Sequence, residues 1–247
     1  MPGNPLHPDS AAQPAAPDVQ SLPVLGIDTC GPSGSVALAR LFGASGQPEV
    51  EVLGQAPLEG RSYSATLIAA IGDLLRQAGL KLRDMNAIVA VSGPGSFTGV
   101  RVGLSAAKGL AEAAPIPIVA VSRLEVLAFK SGVPAAALDA HRSEVFLRLA
   151  APGEEATEVL AGGAELAAIP TRPPAVAVCD QAAALLSATW PATRFVPVEA
   201  PTAADAIRLA ASRIFAREFA DPLLLDGHYL RRSDAEIFGE PAAPGHP

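Results

Sequence analysis

The chain has 247 residues, of which 49% are hydrophobic, and its mean hydropathy is positive, so it can bury a sizeable core and is long enough for two modest domains. Its formal net charge of -7 argues against a broad grip on a phosphate backbone, because nucleic-acid-binding proteins generally carry a basic face. The two cysteines, Cys30 and Cys179, are too few and too far apart for a disulfide framework or a zinc cluster, which favours a reducing cytoplasm.

Both ends of the chain are rich in proline and alanine, and residues 1–22 and 239–247 are expected to be flexible tails. The first of these lacks the basic start and the apolar core of a secretory signal. No apolar run elsewhere approaches the length needed to cross a bilayer. We therefore expect no membrane partner.

The first half of the chain is predicted to follow the order βββαβαβ. Its strands are expected at 24–28, 34–39, 49–55, 87–91 and 116–121, and its helices at 61–78 and 96–114. The second half contains helices expected at 124–130, 181–188 and 203–219, and strands at 136–139, 144–149 and 175–178. Asp28 and Asp139 each end a strand before a polar turn and a returning strand, as expected if two similar sheet domains face each other across a cleft.

A glycine block joins the strand at 87–91 to the helix that follows it; it reads Gly93-Pro94-Gly95-Ser96-Phe97-Thr98-Gly99-Val100-Arg101-Val102-Gly103. A glycine turn that opens a helix can present free N–H groups to an anion, although the spacing fits neither the P-loop nor the dinucleotide fingerprint. The alternative is close approach between backbones, since small residues recur every fourth position on one helix face: Gly99, Gly103, Ala107 and Ala111.

The apolar or small sector of this helix is about twice as wide as the stripe that a helix resting on one sheet requires. A single neighbour cannot cover it. Either another helix of the same domain packs against the remainder, or a second protein does, because a large uncovered apolar patch usually marks a partner site.

Six motifs follow one another along residues 24–238: Leu25-Gly26-Ile27-Asp28-Thr29, Ser92 with the glycine block, Ala107-Lys108-Gly109-Leu110-Ala111, Val121-Ser122, Leu138-Asp139-Ala140 and Tyr229-Leu230-Arg231. In sequence and in order they resemble the motifs of the TsaB (YeaZ) family. Cys30 stands where the family more often has serine. The resemblance implies an actin-like, ribonuclease-H-like duplicated α/β fold, with two βββαβα subdomains facing a cleft. The first subdomain would cover 23–121 and be rejoined by about 222–238, and the second would cover 122–221.

The family resemblance also implies a function. It predicts a non-catalytic scaffold that binds the catalytic paralogue TsaD, joined by the ATPase TsaE, for threonylcarbamoylation of adenosine in tRNA, with tRNA bound only through the complex. A homodimer is expected when the partner is absent. The docking surface is expected at Leu67, Ile71, Leu75, Gly99, Gly103, Ala107 and Ala111, so Gly103→Leu is predicted to weaken association with TsaD and leave the isolated chain folded.

Catalysis by the chain itself is not expected. The resemblance implies a His-x-x-x-His pair on the first long helix of the catalytic paralogue, but that helix here begins Arg61-Ser62-Tyr63-Ser64-Ala65-Thr66-Leu67-Ile68, without imidazole ligands for a metal. A peptidase is equally unsupported, because no His-Glu-x-x-His helix or nucleophile elbow occurs, and Cys30 has no histidine close to it in sequence.

The rival hypothesis is an actin-like ATPase or small-molecule kinase. Asp28 and Asp139 would flank a magnesium nucleotide in the cleft, with Gly95 and Ser96 of the glycine block beside it. No adenosine-binding loop is evident. We therefore expect that no cofactor is required, while residual ATP or ADP binding at a vestigial cleft stays open.

Overall fold

The computed structural model describes residues 21–43, 46–59, 62–150 and 155–231. The tails predicted at residues 1–22 and 239–247 lie outside these ranges, except for residues 21 and 22. Leu22 is already part of the first strand, so the first tail was predicted to end too late. Within the described ranges, no helix combines the length and the apolar character needed to span a bilayer.

The first sheet has five strands in the order β3-β2-β1-β4-β5. They are β1 (Leu22–Asp28), β2 (Ser33–Phe42), β3 (Glu49–Glu59), β4 (Ala87–Val91) and β5 (Ile118–Val121). β1 to β3 form an antiparallel meander, and β4 and β5 continue the sheet in parallel with β1. Every residue of β4 is buried, as its unbroken apolar run predicts for a central parallel strand. Two helices, α1 (Tyr63–Gln77) and α2 (Phe97–Ala113), connect these strands.

The second sheet repeats this topology. Its elements are α3 (Arg123–Ser131), β6 (Ala136–His141), β7 (Glu144–Leu149), β8 (Thr157–Ala161), α4 (Gly163–Ala168), β9 (Ala175–Val178), α5 (Ala182–Ser187) and β10 (Arg194–Pro197). The strand order is β10-β9-β6-β7-β8, so a three-stranded meander is again followed by two parallel strands. The predicted duplication is confirmed, with β6 corresponding to β1. Sequence patterns did not predict β8, α4 or β10.

The last helix, α6 (Ala203–Ala216), returns to the first sheet. Thr202 caps it, since its hydroxyl accepts from the Asp205 amide while the Asp205 carboxylate accepts from the Thr202 amide. Its apolar face, including Ile207 and Ile214, belongs to the core of the first sheet. The second subdomain predicted at 122–221 therefore ends too late, because the chain rejoins the first subdomain at Ala203 instead of at about residue 222.

We call the first sheet with α1, α2 and α6 the first lobe, and the second sheet with α3 to α5 the second lobe. The segment that follows α6, residues 221–231, crosses from one lobe to the other, and we call it the strap. Just before it, Ala220 forms a bridge with Ile118 of β5. Further along, the His228 amide donates to the Ser92 carbonyl over 2.7 Å, and Arg231 donates to the Ala140 carbonyl over 2.9 Å.

Candidate docking face and interlobe cleft

The small-residue face of α2 packs against the turn that follows β1. A Cβ added to Gly99 would lie 2.0 Å from the Thr29 carbonyl oxygen, and one added to Gly103 would lie 2.3 Å from Thr29 Oγ1. The Thr29 hydroxyl donates to the Gly99 carbonyl over 2.7 Å. The sequence left two interpretations open, an anion site and close approach between backbones, and these contacts match the second. Glycine is needed at both positions because no side chain fits there.

The seven residues predicted to form the partner interface do not offer an exposed surface to a partner. All seven are buried inside the single chain, because the i, i+4 face they occupy on each helix is the face that rests on the first sheet. Of the seven, only Leu67 also lines the bottom of the groove between α1 and α2. The seven residues whose predicted role is corrected here by their burial are Leu67, Ile71, Leu75, Gly99, Gly103, Ala107 and Ala111.

The opposite arc of α1 and α2 is open and partly apolar. Ile68 is 54% exposed, Phe97 is 45% exposed and Tyr229 of the strap is 37% exposed. A groove of about 450 Å³ runs between the two helices. We call this surface the docking face; it comprises Ser64, Ile68, Phe97, Arg101, Val102, Ser105, Ala106 and Tyr229.

Three residues form a cation–aromatic cluster at one end of the docking face. The Arg101 guanidinium carbon lies 3.6 Å from the centroid of the Phe97 ring and 5.9 Å from that of Tyr229, within the range of cation–π attraction. Arg101 Nε donates to the Tyr229 hydroxyl over 3.3 Å, and the two rings are 5.2 Å apart. Aromatic residues and arginine dominate the energetic centres of protein interfaces.

In the cleft, an arginine from α3 occupies the space in front of Asp28. Arg123 Nε lies 3.9 Å from Asp28 Oδ2, and both side chains are buried. The guanidinium packs against Gly31, where an added Cβ would lie 2.9 Å from its central carbon. Asp28 Oδ1 accepts from the Cys30 amide over 2.9 Å. The carboxylate predicted to face a nucleotide thus faces an internal cation.

The glycine block also bonds to its own lobe. The Ser96 amide donates to the Cys30 carbonyl over 2.7 Å, and Ser96 Oγ accepts from the Gly99 amide as the cap of α2. A Cβ on Gly95 would lie 2.9 Å from the carbonyl carbon of Cys30. The turn is therefore folded tightly on the β1–β2 connection, and these amides are not available to a phosphate.

Asp139 lies at the corresponding turn of the second lobe. Its carboxylate accepts from the His141 amide over 2.7 Å, and its own amide donates to the Asp180 carboxylate. Among the described residues, no hydrogen bond or ion pair connects Asp139 with Asp28. Each acid is engaged in its own turn.

Neither the buried Cys30 nor the half-buried Cys179 has the lowered pKa of a reactive thiol. Burial raises the pKa of Cys30 well above its usual range, and the neighbouring Asp28 carboxylate raises it further. The Cys30 thiol donates to the Val91 carbonyl over 3.3 Å. Burial likewise raises the pKa of Cys179 to about 11. Both groups therefore stay protonated near neutral pH.

A buried carboxylate in the second lobe joins three parts of the chain. Glu158 of β8 accepts from Ser122 Oγ over 2.6 Å, from Arg148 over 2.8 Å and lies 2.9 Å from His228 Nε2. Burial opposes its ionisation, but hydrogen bonds from His228, Ser122 and Arg148 outweigh burial and lower its pKa. The acid stands between serine and histidine, which is not the order of a hydrolytic triad. Sequence patterns did not single out Glu158.

Within the described residues, no group of three or more His, Cys, Asp and Glu side chains is arranged to hold a metal ion.

Several known proteins are similar in sequence to this chain, among them proteins named TsaB and proteins named tRNA N6-adenosine threonylcarbamoyltransferase. A family model described as TsaD, tRNA N6-adenosine threonylcarbamoyltransferase, matches residues 57–165. The tRNA threonylcarbamoyladenosine biosynthesis protein TsaB of Escherichia coli strain K12 is 36% identical over 129 residues, which cover 50% of this chain and 52% of that protein. The TsaB protein of Haemophilus influenzae is 34% identical over 134 residues, with 52% and 53% covered. The chain spans about half the length of these curated relatives.

Solved structures match over more of the chain. YeaZ from Pseudomonas aeruginosa has a TM-score of 0.62 and 26% identity, covering 85% of this chain and all of that one. A crystal structure of a P. aeruginosa protein with similarity to the peptidase YeaZ has a TM-score of 0.64 over the same coverage. Two lobes of repeated topology around a cleft define an actin-like, ribonuclease-H-like duplicated α/β protein. In sequence and in structure the chain is similar to TsaB (YeaZ) proteins, and the resemblance noted in its sequence is confirmed.

Proposed function

We propose that this chain is a scaffold subunit for the biosynthesis of threonylcarbamoyladenosine in tRNA, and that it binds a TsaD-like catalytic paralogue through the docking face. The observation that carries the proposal is the exposed arc of α1 and α2, where Ile68, Phe97 and Tyr229 surround Arg101. The names of the E. coli and H. influenzae relatives place those proteins in the same biosynthesis.

A partner with the same helix pair fits this surface best. The TsaD family model matches residues 57–165, a range that contains both α1 and α2, so a TsaD-like protein has counterparts of these helices. Two such pairs can pack about a pseudo-twofold axis as four helices, each burying the arc that its own sheet leaves open. The same geometry allows two copies of this chain to pair when the paralogue is absent. A TsaE-like ATPase and tRNA would join through the complex, in the cytoplasm.

We further propose that the chain is non-catalytic and requires no cofactor. Arg123 supports this, because its guanidinium stands where a magnesium nucleotide would approach Asp28. The turn at Gly95 and Ser96 supports it as well, since the Ser96 and Gly99 amides already donate within the chain and are not free to bind a phosphate. Both features disfavour the ATPase or kinase hypothesis and residual ATP or ADP binding.

Binding to the paralogue from the same organism tests the docking face, measured by isothermal titration calorimetry. Phe97→Ala is expected to weaken affinity by about tenfold or more, because truncation of an aromatic residue at an interface centre typically has this effect. Phe129→Ala is the matched control, since Phe129 is 49% exposed but lies on α3. Equal losses in both variants, or no binding by the unaltered chain, would contradict the proposal.

Transfer assays test the catalytic assignment. The purified chain with tRNA and threonylcarbamoyl-adenylate is expected to give no modified adenosine, and addition of the paralogue is expected to restore the reaction. Product formed without the paralogue, detected by mass spectrometry of digested tRNA, would show that the chain is itself an enzyme.

A further inference from the structure

We propose that Glu158 in the second lobe is a positioning residue for the docking face: through His228 it holds the strap so that Tyr229 completes the cluster with Phe97 and Arg101. This inference rests on the proposed function, since the docking face matters only if a partner binds there. Glu158 itself lies on β8 and is not part of that face.

Three hydrogen-bonding groups converge on the Glu158 carboxylate. The Glu158 side chain is only 6% exposed, and its donors come from three separate places: Ser122 after β5, Arg148 on β7 and His228 on the strap. An ionised carboxylate can accept all of these bonds. Ser122 and His228 share Oε2, whereas Arg148 bonds to Oε1. A glutamine in this place carries no charge and has one acceptor oxygen, so the charge-assisted bond to His228 is either lost or replaced by a weaker neutral one.

His228 and Tyr229 lie next to each other in a turn of the strap that backbone hydrogen bonds hold. The His228 amide donates to the Ser92 carbonyl over 2.7 Å, and the Tyr229 amide donates to the Gly227 carbonyl over 2.9 Å. The Tyr229 ring folds back over Gly227, where an added Cβ would lie 2.6 Å from a ring carbon. The strap is therefore a compact turn between residues 227 and 229, with His228 fixed to both lobes at its centre.

Tyr229 then sets the geometry of the cluster. Its hydroxyl accepts from Arg101 Nε, while Arg101 also stacks on Phe97. Loss of the His228 contact frees the turn, so Tyr229 and Arg101 have to be ordered again when a partner binds. Ordering side chains at the moment of association lowers affinity even when no interface contact is removed.

Hydrogen exchange of the chain without a partner tests the positioning role. Glu158→Gln is expected to accelerate exchange in the peptide spanning the strap by about tenfold or more, because a hydrogen bond to a charged group is lost. Glu155→Gln is the matched control, since Glu155 is exposed and lies three residues away in the chain. Unchanged strap exchange in Glu158→Gln overturns the proposal.

A double-mutant cycle with the paralogue tests the route of the effect. Glu158→Gln is expected to weaken binding by about threefold to tenfold, and to have no further effect when combined with Tyr229→Ala, since it acts through that side chain. Additive losses overturn the proposal. Gly227→Ala displaces the same ring without touching Glu158 and is expected to weaken binding similarly, whereas Gly163→Ala, whose Cβ would meet open space, is expected to bind normally.

The two experiments separate the two claims. If the unaltered chain does not bind the paralogue, the proposed function is wrong, and the role of Glu158 in docking is wrong with it. If binding is normal in Glu158→Gln although the strap exchanges faster, docking stands and the positioning role is overturned.

Discussion

Substitution of Gly99 by alanine places a methyl group where the structure has no space. The new Cβ would lie 2.0 Å from the Thr29 carbonyl oxygen, whereas ordinary contacts of a Cβ begin at 3.4 Å. Either α2 or the turn after β1 has to move, and overpacking of this kind costs about 1–3 kcal/mol. Loss of the Thr29 to Gly99 hydrogen bond adds about 1 kcal/mol, and the higher helix propensity of alanine offsets about 1 kcal/mol.

The net expectation is a destabilisation of about 1–3 kcal/mol, which lowers the thermal midpoint by about 3–10 °C for a chain of this size. Circular dichroism at the helix band measures it. Gly109→Ala in the same helix is the control, because its Cβ would meet open space; it is expected to raise the midpoint by about 2–4 °C. A Gly99→Ala variant as stable as the unaltered chain would show that α2 does not rest on Thr29. By the same reasoning, Gly103→Leu is expected to unfold the chain instead of leaving it folded.

Three further results are expected. Arg123→Ala should destabilise the chain by about 3 kcal/mol or more, because the buried Asp28 carboxylate loses its counter-charge; equal stability in urea would count against the ion pair. Iodoacetamide should leave Cys30 unmodified in the folded chain at mildly alkaline pH, since its pKa is raised, and a labelled peptide in mass spectrometry would contradict its burial. The pKa of Glu158 is lower in the folded chain than its ordinary value of 4.5, so the ionised side chain stabilises the fold. The unaltered chain should therefore have a larger free energy of unfolding than Glu158→Gln above pH 4.5, and this difference should disappear as the pH falls through the lower folded pKa. A difference that persists in acid would refute this.

Local patterns predicted much of the fold because they report on short-range physics. The strand at 87–91 coincides with β4, since an apolar run between polar turns has few alternatives. The repeated acids Asp28 and Asp139 correctly marked two related hairpins. The short strands β8 and β10 carry no alternation to detect, and only pairing with their neighbours defines them.

The direction in which a helix faces was harder to predict. α2 has small or apolar residues around much of its circumference, so two orientations satisfied the pattern equally. The orientation of α2 is fixed by its contact with Thr29, which is 70 positions away from Gly99 in the sequence. The cluster on the docking face depends on a still longer separation, since Arg101 and Tyr229 are 128 positions apart. Contacts between such distant residues leave no periodic signal in a single sequence.

The return of α6 to the first sheet has a consequence for how the protein is made. Residues 203–216 must emerge from the ribosome before this face of the first sheet can be covered, so its apolar surface stays exposed to water while the second lobe is synthesised. The first sheet thus depends on α6 for its cover, and its apolar face favours aggregation until that helix has been made. The same dependence means that a gene cut between the two halves would not yield a first fragment able to fold alone.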